Sequence, residues 1–233
     1  MKIVVISDIH ANLTALSEVI KDCERKYGNI PFVHLGDCVD YGMRPNETIV
    51  QLQKLNTLVN IKGNHERAIL GFESERFSSA RGRSANDYTK SILNENSFVY
   101  INSMNDGFAE LEFEKKKILF IHGDLNDIYW GKMKDDEISR EHYRKYDYVI
   151  SGHTHISSLR TVINEDKTHK TIFINPGSVG QPRNLNNNAQ YCVIDFRTSS
   201  IHFNTVEYDI PSEQILYNNE IDEYYKNRLL QGC

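Results

Sequence analysis

Val4-Val5-Ile6-Ser7-Asp8 is the first of five short runs in which apolar residues stop abruptly on a polar one. The others are VHLGD at 33–37, VNIKGN at 59–64, LFIHG at 119–123 and YVISGH at 148–153. Val and Ile branch at Cβ, which crowds a helix but packs well on a pleated sheet, so each run reads as a buried strand closed by Gly, Asp, Asn or His. Helical sequence separates the early runs, which predicts βαβ units and a largely parallel sheet. Leu13, Leu16, Val19, Ile20 and Cys23 recur at helical spacing behind Asn12, a residue suited to the N-cap. Pro45 and Asn46 open a second helix through Leu55. Ligands of open α/β folds bind beyond the carboxyl ends of the strands, so the five polar termini are predicted to share one rim.

Two segments break this rhythm. Residues 67–97 are helical but polar and carry Arg67, Arg76, Arg81 and Arg83, which predicts a helical cap; residues 126–146 form a second polar insertion. Beyond 156 the pattern changes to strand pairs, 159–163 with 170–174 and 190–196 with 200–206, then a helix near 211–230. A chain of 233 residues without repeats or a long linker fits a single domain over 1–233. With 27 basic and 32 acidic residues the formal charge is −5, which offers no footprint for long nucleic acid and no polybasic membrane patch. A small or compact substrate is favoured. No signal peptide or membrane span is legible, and Cys23, Cys38, Cys192 and Cys233 stand far apart without a CxxC pair. The expectation is a cytoplasmic protein with reduced thiols; oligomeric state has no signal.

Asp8-x-His10, Gly36-Asp37, Gly63-Asn64-His65, His122-Gly123 and Gly152-His153-x-His155 set carboxylate, amide and imidazole groups at the five strand ends. Imidazole together with carboxylate suits divalent Mn, Fe, Ni, Co or Zn, whereas an all-oxygen set would point to Mg or Ca. Each motif alone has an ordinary reading as a helix cap, a satisfied core histidine or a loop. Their recurrence behind successive strands does not. His34, His142, His169 and His202 fit no such pattern and read as structural or surface groups. Candidates for contact with a phosphate are the Asn64 amide and Arg183, with Arg67, Arg81 and Arg83 as weaker ones. Tyr41, Tyr129 and Trp130 offer faces for a base or aryl group, with buried packing as the alternative.

SDIH at 7–10, LGDCVDYG at 35–42, GNHE at 63–66, IHGD at 121–124, SGHTH at 151–155 and NPGSVGQPRN at 175–184 resemble the calcineurin-like metallophosphoesterases, in particular their compact bacterial and archaeal phosphodiesterase branch. The resemblance runs from Lys2 to about Phe203. It implies a four-layer αββα sandwich, two mixed sheets flanked by helices, with a dinuclear site at the sheet edge. It assigns Asp8, His10 and His155 to one metal, Asn64, His122 and His153 to the other, and Asp37 to both. Manganese is the first expectation, with Fe, Ni, Co or Zn as alternatives. The implied chemistry is hydrolysis of a small phosphate ester or nucleotide by a metal-bridging hydroxide, with His65 protonating the leaving group and Asp40 orienting it. Two alternatives stay open. A phosphoprotein phosphatase is suggested by GDCVD and GNHE, although that branch has a phosphate-binding arginine where this chain has Tyr41. A non-catalytic scaffold would have lost ligands that are intact here.

Overall fold

The computed structural model describes residues 1–134, 141–163 and 167–233. In chain order the described elements are β1 Lys2–Ile6, α1 Leu13–Tyr27, β2 Phe32–His34, α2 Pro45–Gln53, β3 Thr57–Asn60, α3 Asn64–Ile69, a 3-10 turn at Ser74–Arg76, α4 Ala80–Ile92 and α5 Glu95–Ser103. There follow β4 Phe108–Phe113, β5 Lys116–Ile121, β6 Tyr148–Ser151, β7 Ser158–Ile163, β8 Lys170–Asn175, β9 Ala189–Asp195, β10 Ser200–Val206, α6 Ile210–Gln214 and α7 Glu223–Gln231.

The strands form two mixed five-stranded sheets, ordered β10-β9-β1-β2-β3 and β4-β5-β6-β8-β7. β1, β2 and β3 run parallel, as do β5, β6 and β8, while β9, β4 and β7 pair antiparallel to their neighbours. The five apolar runs therefore do not share one sheet, as the βαβ rhythm alone predicts. The chain leaves the first sheet after β3, turns back through the β4–β5 hairpin and starts a second sheet. The two pack face to face, so their carboxyl ends still meet along one edge.

Side chains of a strand alternate between faces, and in the central strands both sets are apolar. Ile3 and Val5 of β1 join Val33, Cys192 and Ile194 on the inner face, opposite Ile118, Phe120, Ile150, Ile172 and Ile174 of the second sheet. Val4 and Ile6 point the other way, against Leu16, Val19 and Ile20 of α1 and Ile49 and Leu52 of α2. Leu119, Ile121, Val149 and Phe173 cover the outer face of the second sheet together with Tyr143 and Tyr146. Burying a large apolar side chain contributes roughly 1.5 to 3 kcal/mol. Three such layers hold the strand ends rigid while the rim loops adopt costly conformations.

Asn12 caps α1 as expected, its side-chain oxygen accepting the Ala15 N–H at 3.0 Å. The single C-terminal helix expected near 211–230 is instead two. Asp209 caps α6, the Asn218 side chain accepts the Glu220 N–H in a local turn, and Asp222 starts α7. Of the second inserted segment, residues 135–140 lie outside the described ones. Among the described residues no helix is long and apolar enough to cross a membrane.

Candidate metal centre

β1 and β2 keep pairing beyond their formal ends. The N–H groups of Asp8, His10 and Ala11 donate to the carbonyls of Gly36, Asp37 and Cys38 at 2.8–3.0 Å, which lays the SDIH and GDCVD loops side by side. Asp8, His10, Asp37, Asp40, Tyr41, His153 and His155 all have positive φ, from 50° to 67°. A non-glycine residue in that region costs on the order of 1 kcal/mol or more, so such a concentration marks a site over-determined by its surroundings. Gly36, with φ 99°, and Gly63 let two of these loops touch. A Cβ on Gly36 would lie 2.9 Å from His122 Nδ1, and one on Gly63 would strike the Asp37 carboxylate.

Two buried groups result, and Asp37 belongs to both. Asp8, His10, Asp37 and His155 offer ligand atoms within 4.8 Å of one another, as do Asp37, His122 and His153. Asn64 joins the second group, its Oδ1 lying 3.1 Å from His122 Nε2 and 3.0 Å from His153 Nδ1. His10, His122 and His155 each place Nδ1 against a main-chain carbonyl, of Val39, Leu35 and Gln181, at 2.6–2.9 Å. A carbonyl only accepts, so Nδ1 carries the proton and the neutral ring turns the Nε2 lone pair inward.

That inward arrangement is unfavourable without a cation. His10 Nε2 and His155 Nε2 face each other at 3.2 Å, His155 Nε2 lies 3.3 Å from the Asp8 carboxylate, and both Asp8 oxygens are buried without a hydrogen-bond donor. Burial, opposed by His122 and reinforced by Asp37, pushes the Asp8 carboxyl up to about 7. Burial and neighbouring charges hold His10 and His155 well below the usual imidazole range, and burial with the His122 charge brings His153 down to about 3. Burial also opposes ionisation of Asp37, but His122, His65 and His10 outweigh it and leave the carboxyl well below its ordinary value. Asp37 in turn raises His122 to about 9, against its burial. A proton on His122 thus neutralises Asp37 from the position a cation would take. Orphaned carboxylate oxygens, opposed imidazole lone pairs and an Asp37 Oδ2 that faces both His10 and His122, while its Oδ1 accepts the His65 N–H, fit a site for divalent metal.

Beside the clusters, His65 Nδ1 contacts Asp40 Oδ2 at 2.6 Å and its Nε2 lies 3.9 Å from Asp37. Burial disfavours the imidazolium of His65, but the two aspartates prevail and raise its pKa. Asn86 of α4 donates to Asp40 at 2.7 Å, a support that the sequence reading missed because a lone polar residue in a polar helix carries no signal. Glu66 was also missed as a working group. Its buried carboxylate accepts the N–H groups of Gly63, Asp37, Cys38 and Val39 at 2.7–3.3 Å and so clamps the GNHE turn to the bridging loop. Its position three residues after the Gly63 N-cap, where a Glu side chain reaches back to the N-cap N–H, is half of a capping box and the one local signal that could have found it.

The phosphate-side candidates divide. Arg183 adjoins the site, its N–H donating to the His155 carbonyl at 3.1 Å. The Arg67 guanidinium lies over Phe72 and Tyr129, and that of Arg81 over Tyr224. Tyr41 takes the buried-packing alternative and offers no open stacking face. It is 7% exposed, and its ring is taken up by Tyr225 at 4.1 Å and by His10 and His65 at 4.5 and 4.6 Å. Tyr129 is buried as well. Trp130 and Phe77 instead pack edge to face at 5.3 Å between His153 and His65. Arg76–Asp127 and Glu73–Trp130 contacts join the two inserted segments there. His34 bonds Asn60 in β2, His169 contacts the Tyr146 carbonyl, and His142 and His202 are exposed.

A model of the calcineurin-like phosphoesterase superfamily domain matches residues 1–199. An uncharacterized protein of Methanocaldococcus jannaschii is 33% identical over 241 residues, covering 99% of this chain and 98% of that one. The crystal structure of a metallophosphoesterase from Sphaerobacter thermophilus superposes with a TM-score of 0.81 at 27% identity, covering 100% of both chains. A hypothetical protein of Pyrococcus horikoshii shares the fold, with a TM-score of 0.82 at 17% identity over 100% of this chain and 98% of that one.

Glu66→Gln preserves shape but turns an amide N–H₂ toward backbone donors. In metal-stripped protein we expect urea unfolding to show a loss of about 2 to 3 kcal/mol, the scale of a lost charge-assisted bond with its donors left buried. A loss below about 0.5 kcal/mol would remove Glu66 as the clamp.

Proposed function

The chain belongs to the calcineurin-like phosphoesterase superfamily, and on that premise we propose that it is a phosphodiesterase or broad phosphoesterase of small or nucleotide esters, dependent on two divalent transition ions. The observation that carries this reading is the pair of buried ligand groups sharing Asp37. We assign Asp8, His10 and His155 to one ion, Asn64, His122 and His153 to the other, and Asp37 to both, with manganese as the first ion to try. When bound, such ions supply Lewis acidity toward a phosphate oxygen and lower the pKa of water enough to provide a nucleophile near neutral pH.

The protein's own groups then act around the phosphate. Asn64 can spend its carbonyl oxygen on an ion and its N–H₂ on a phosphate oxygen. We assign His65 the protonation of the departing alkoxide, a role supported by Asp37 and Asp40, which favour its charged form. Asp40 orients the ring, and Asn86 holds Asp40. Residues 67–97 serve as a cap in a single domain, with Phe77 and Trp130 forming an aromatic wall over the cluster. Such a wall admits a small ester and hinders a folded phosphoprotein. The Asp40–His65 pairing is also what the phosphoprotein phosphatase branch uses, but Tyr41 replaces the arginine that branch needs.

Two measurements test this. Chelated protein is expected to lose hydrolysis of bis-nitrophenyl phosphate and to regain it with Mn or another transition divalent ion; undiminished turnover by protein shown to be metal-free would overturn the reading.

The second varies the leaving group. His65→Ala is expected to reduce kcat/KM for alkyl esters about 10²- to 10⁴-fold but far less for nitrophenyl esters, whose leaving group needs no proton. For alkyl esters the rate falls as pH rises through the raised His65 pKa, because the acid form is consumed. Asp40→Asn removes a group that raises that pKa, so the alkaline limb moves to lower pH. Equal losses for every leaving group would make His65 a binding residue only.

A further inference from the structure

Arg183 and Arg228 have no Asp or Glu partner among the described residues, and hydrogen bonds join the segments that carry them beside the candidate metal centre. Arg183 follows the PGSVGQ loop. Its Nε is buried without a hydrogen-bond partner, its main-chain N–H is tied to His155, and its charge is among those that act most on Asp8, His10, His153 and His155. Arg228 comes from α7, beyond the residues 1–199 that the family model matches. The end of that helix is sewn onto the loop after Arg183 by Leu185 N–H to the Gly232 carbonyl at 2.7 Å and by Asn187 to the Leu230 carbonyl at 3.2 Å.

An aromatic layer fixes the distance of this helix from the ions. Tyr225 of α7 stacks on Tyr41, which packs on His10 and His65, so α7 stands one ring beyond the candidate ligands. Arg228 lies 5.1 Å over Tyr224, on which Arg81 also sits at 4.1 Å, and its Nε donates to the Cys233 main-chain oxygen. Burial and the nearby Arg183 charge hold Arg228 below the ordinary guanidinium range. Two half-buried like charges repel, and an anion bridging them would relieve that repulsion while engaging the guanidinium donors that the Cys233 oxygen leaves free. Tyr41 removes positive charge next to the reacting phosphate, whereas Arg183 and Arg228 restore it farther out.

We infer that Arg183 and Arg228 form an anion subsite adjoining the metal centre that takes a second phosphate group of the substrate. This rests on the phosphoesterase reading for the first phosphate and adds a substrate class to it: esters that carry a further phosphate, as nucleoside polyphosphates do. Arg183 reaches both phosphates and Arg228 the outer one.

The test uses the metal-loaded full chain, bis-nitrophenyl phosphate as reporter, and inorganic phosphate and tripolyphosphate as competitors with metal in excess. Tripolyphosphate is expected to inhibit at least tenfold more tightly than phosphate. Arg228→Gln should weaken tripolyphosphate about tenfold and phosphate less than threefold, and Arg228→Lys, which keeps the charge but loses the fork, should fall between. Calorimetric titration of metal-free protein with tripolyphosphate reads the subsite without catalysis, and binding seen in the wild type should vanish in Arg228→Gln. Equal weakening of both anions, or no weakening of either, would overturn the second-phosphate assignment. Absence of hydrolysis by loaded wild type would instead count against the phosphoesterase reading, leaving the calorimetry to decide the subsite.

Discussion

Asp37 stands where the loops of the two sheets meet, and its carboxylate is the one group that both ligand clusters share. It is buried to 1% exposure, in left-handed backbone, with His122 at 3.3 Å and His10 and His65 each at 3.9 Å. A carboxylate so placed must be balanced by positive charge, because burying an unpaired ion is far more costly than any local strain. Around it His10, His122 and His155 tie Nδ1 to main-chain carbonyls and turn Nε2, an acceptor once the ring is neutral, toward the clusters. The rest of the architecture serves to hold these acceptors together against their mutual repulsion.

That holding is done by backbone more than by side-chain packing. The pairing of residues 8–11 with 36–38 extends the parallel β1–β2 contact into the rim. Ser178 donates to the Asp8 carbonyl at 2.7 Å, and the N–H groups of Val179 and Gly180 close on Ser7 and Asp8. Glu66 does the same from the opposite side. The left-handed residues are therefore pinned at both flanks, and the apolar layers behind them supply the stability that offsets their strain.

Much of this was legible in the sequence where local chemistry carries position. Asp8, His10, Asp37, Asn64, His122, His153 and His155 each end a β-branched run, and the structure brings all seven together. The division into two sheets was not legible from strand rhythm, since a crossover helix and a sheet-switching segment present similar local patterns. Only the family resemblance implied it. Asn86 acts through a contact 46 residues distant and Glu66 clamps a loop 27 to 29 residues away, so a local pattern at most marks the Glu66 contact to Gly63. For Tyr41 the sequence left an open face and buried packing as alternatives, and could not decide because its partner, Tyr225, lies in a C-terminal helix whose packing its own sequence does not announce.

Metal stoichiometry reads directly whether Asp37 is shared by two ions, as proposed. Wild-type protein and Asp37→Asn, both loaded with Mn and freed of excess, should be compared by elemental analysis per mole of folded chain. We expect two ions in the wild type and no more than one in Asp37→Asn, since a neutral amide lacks the negative charge that an oxygen shared by two cations needs. Two ions retained by Asp37→Asn would contradict the shared-ligand arrangement.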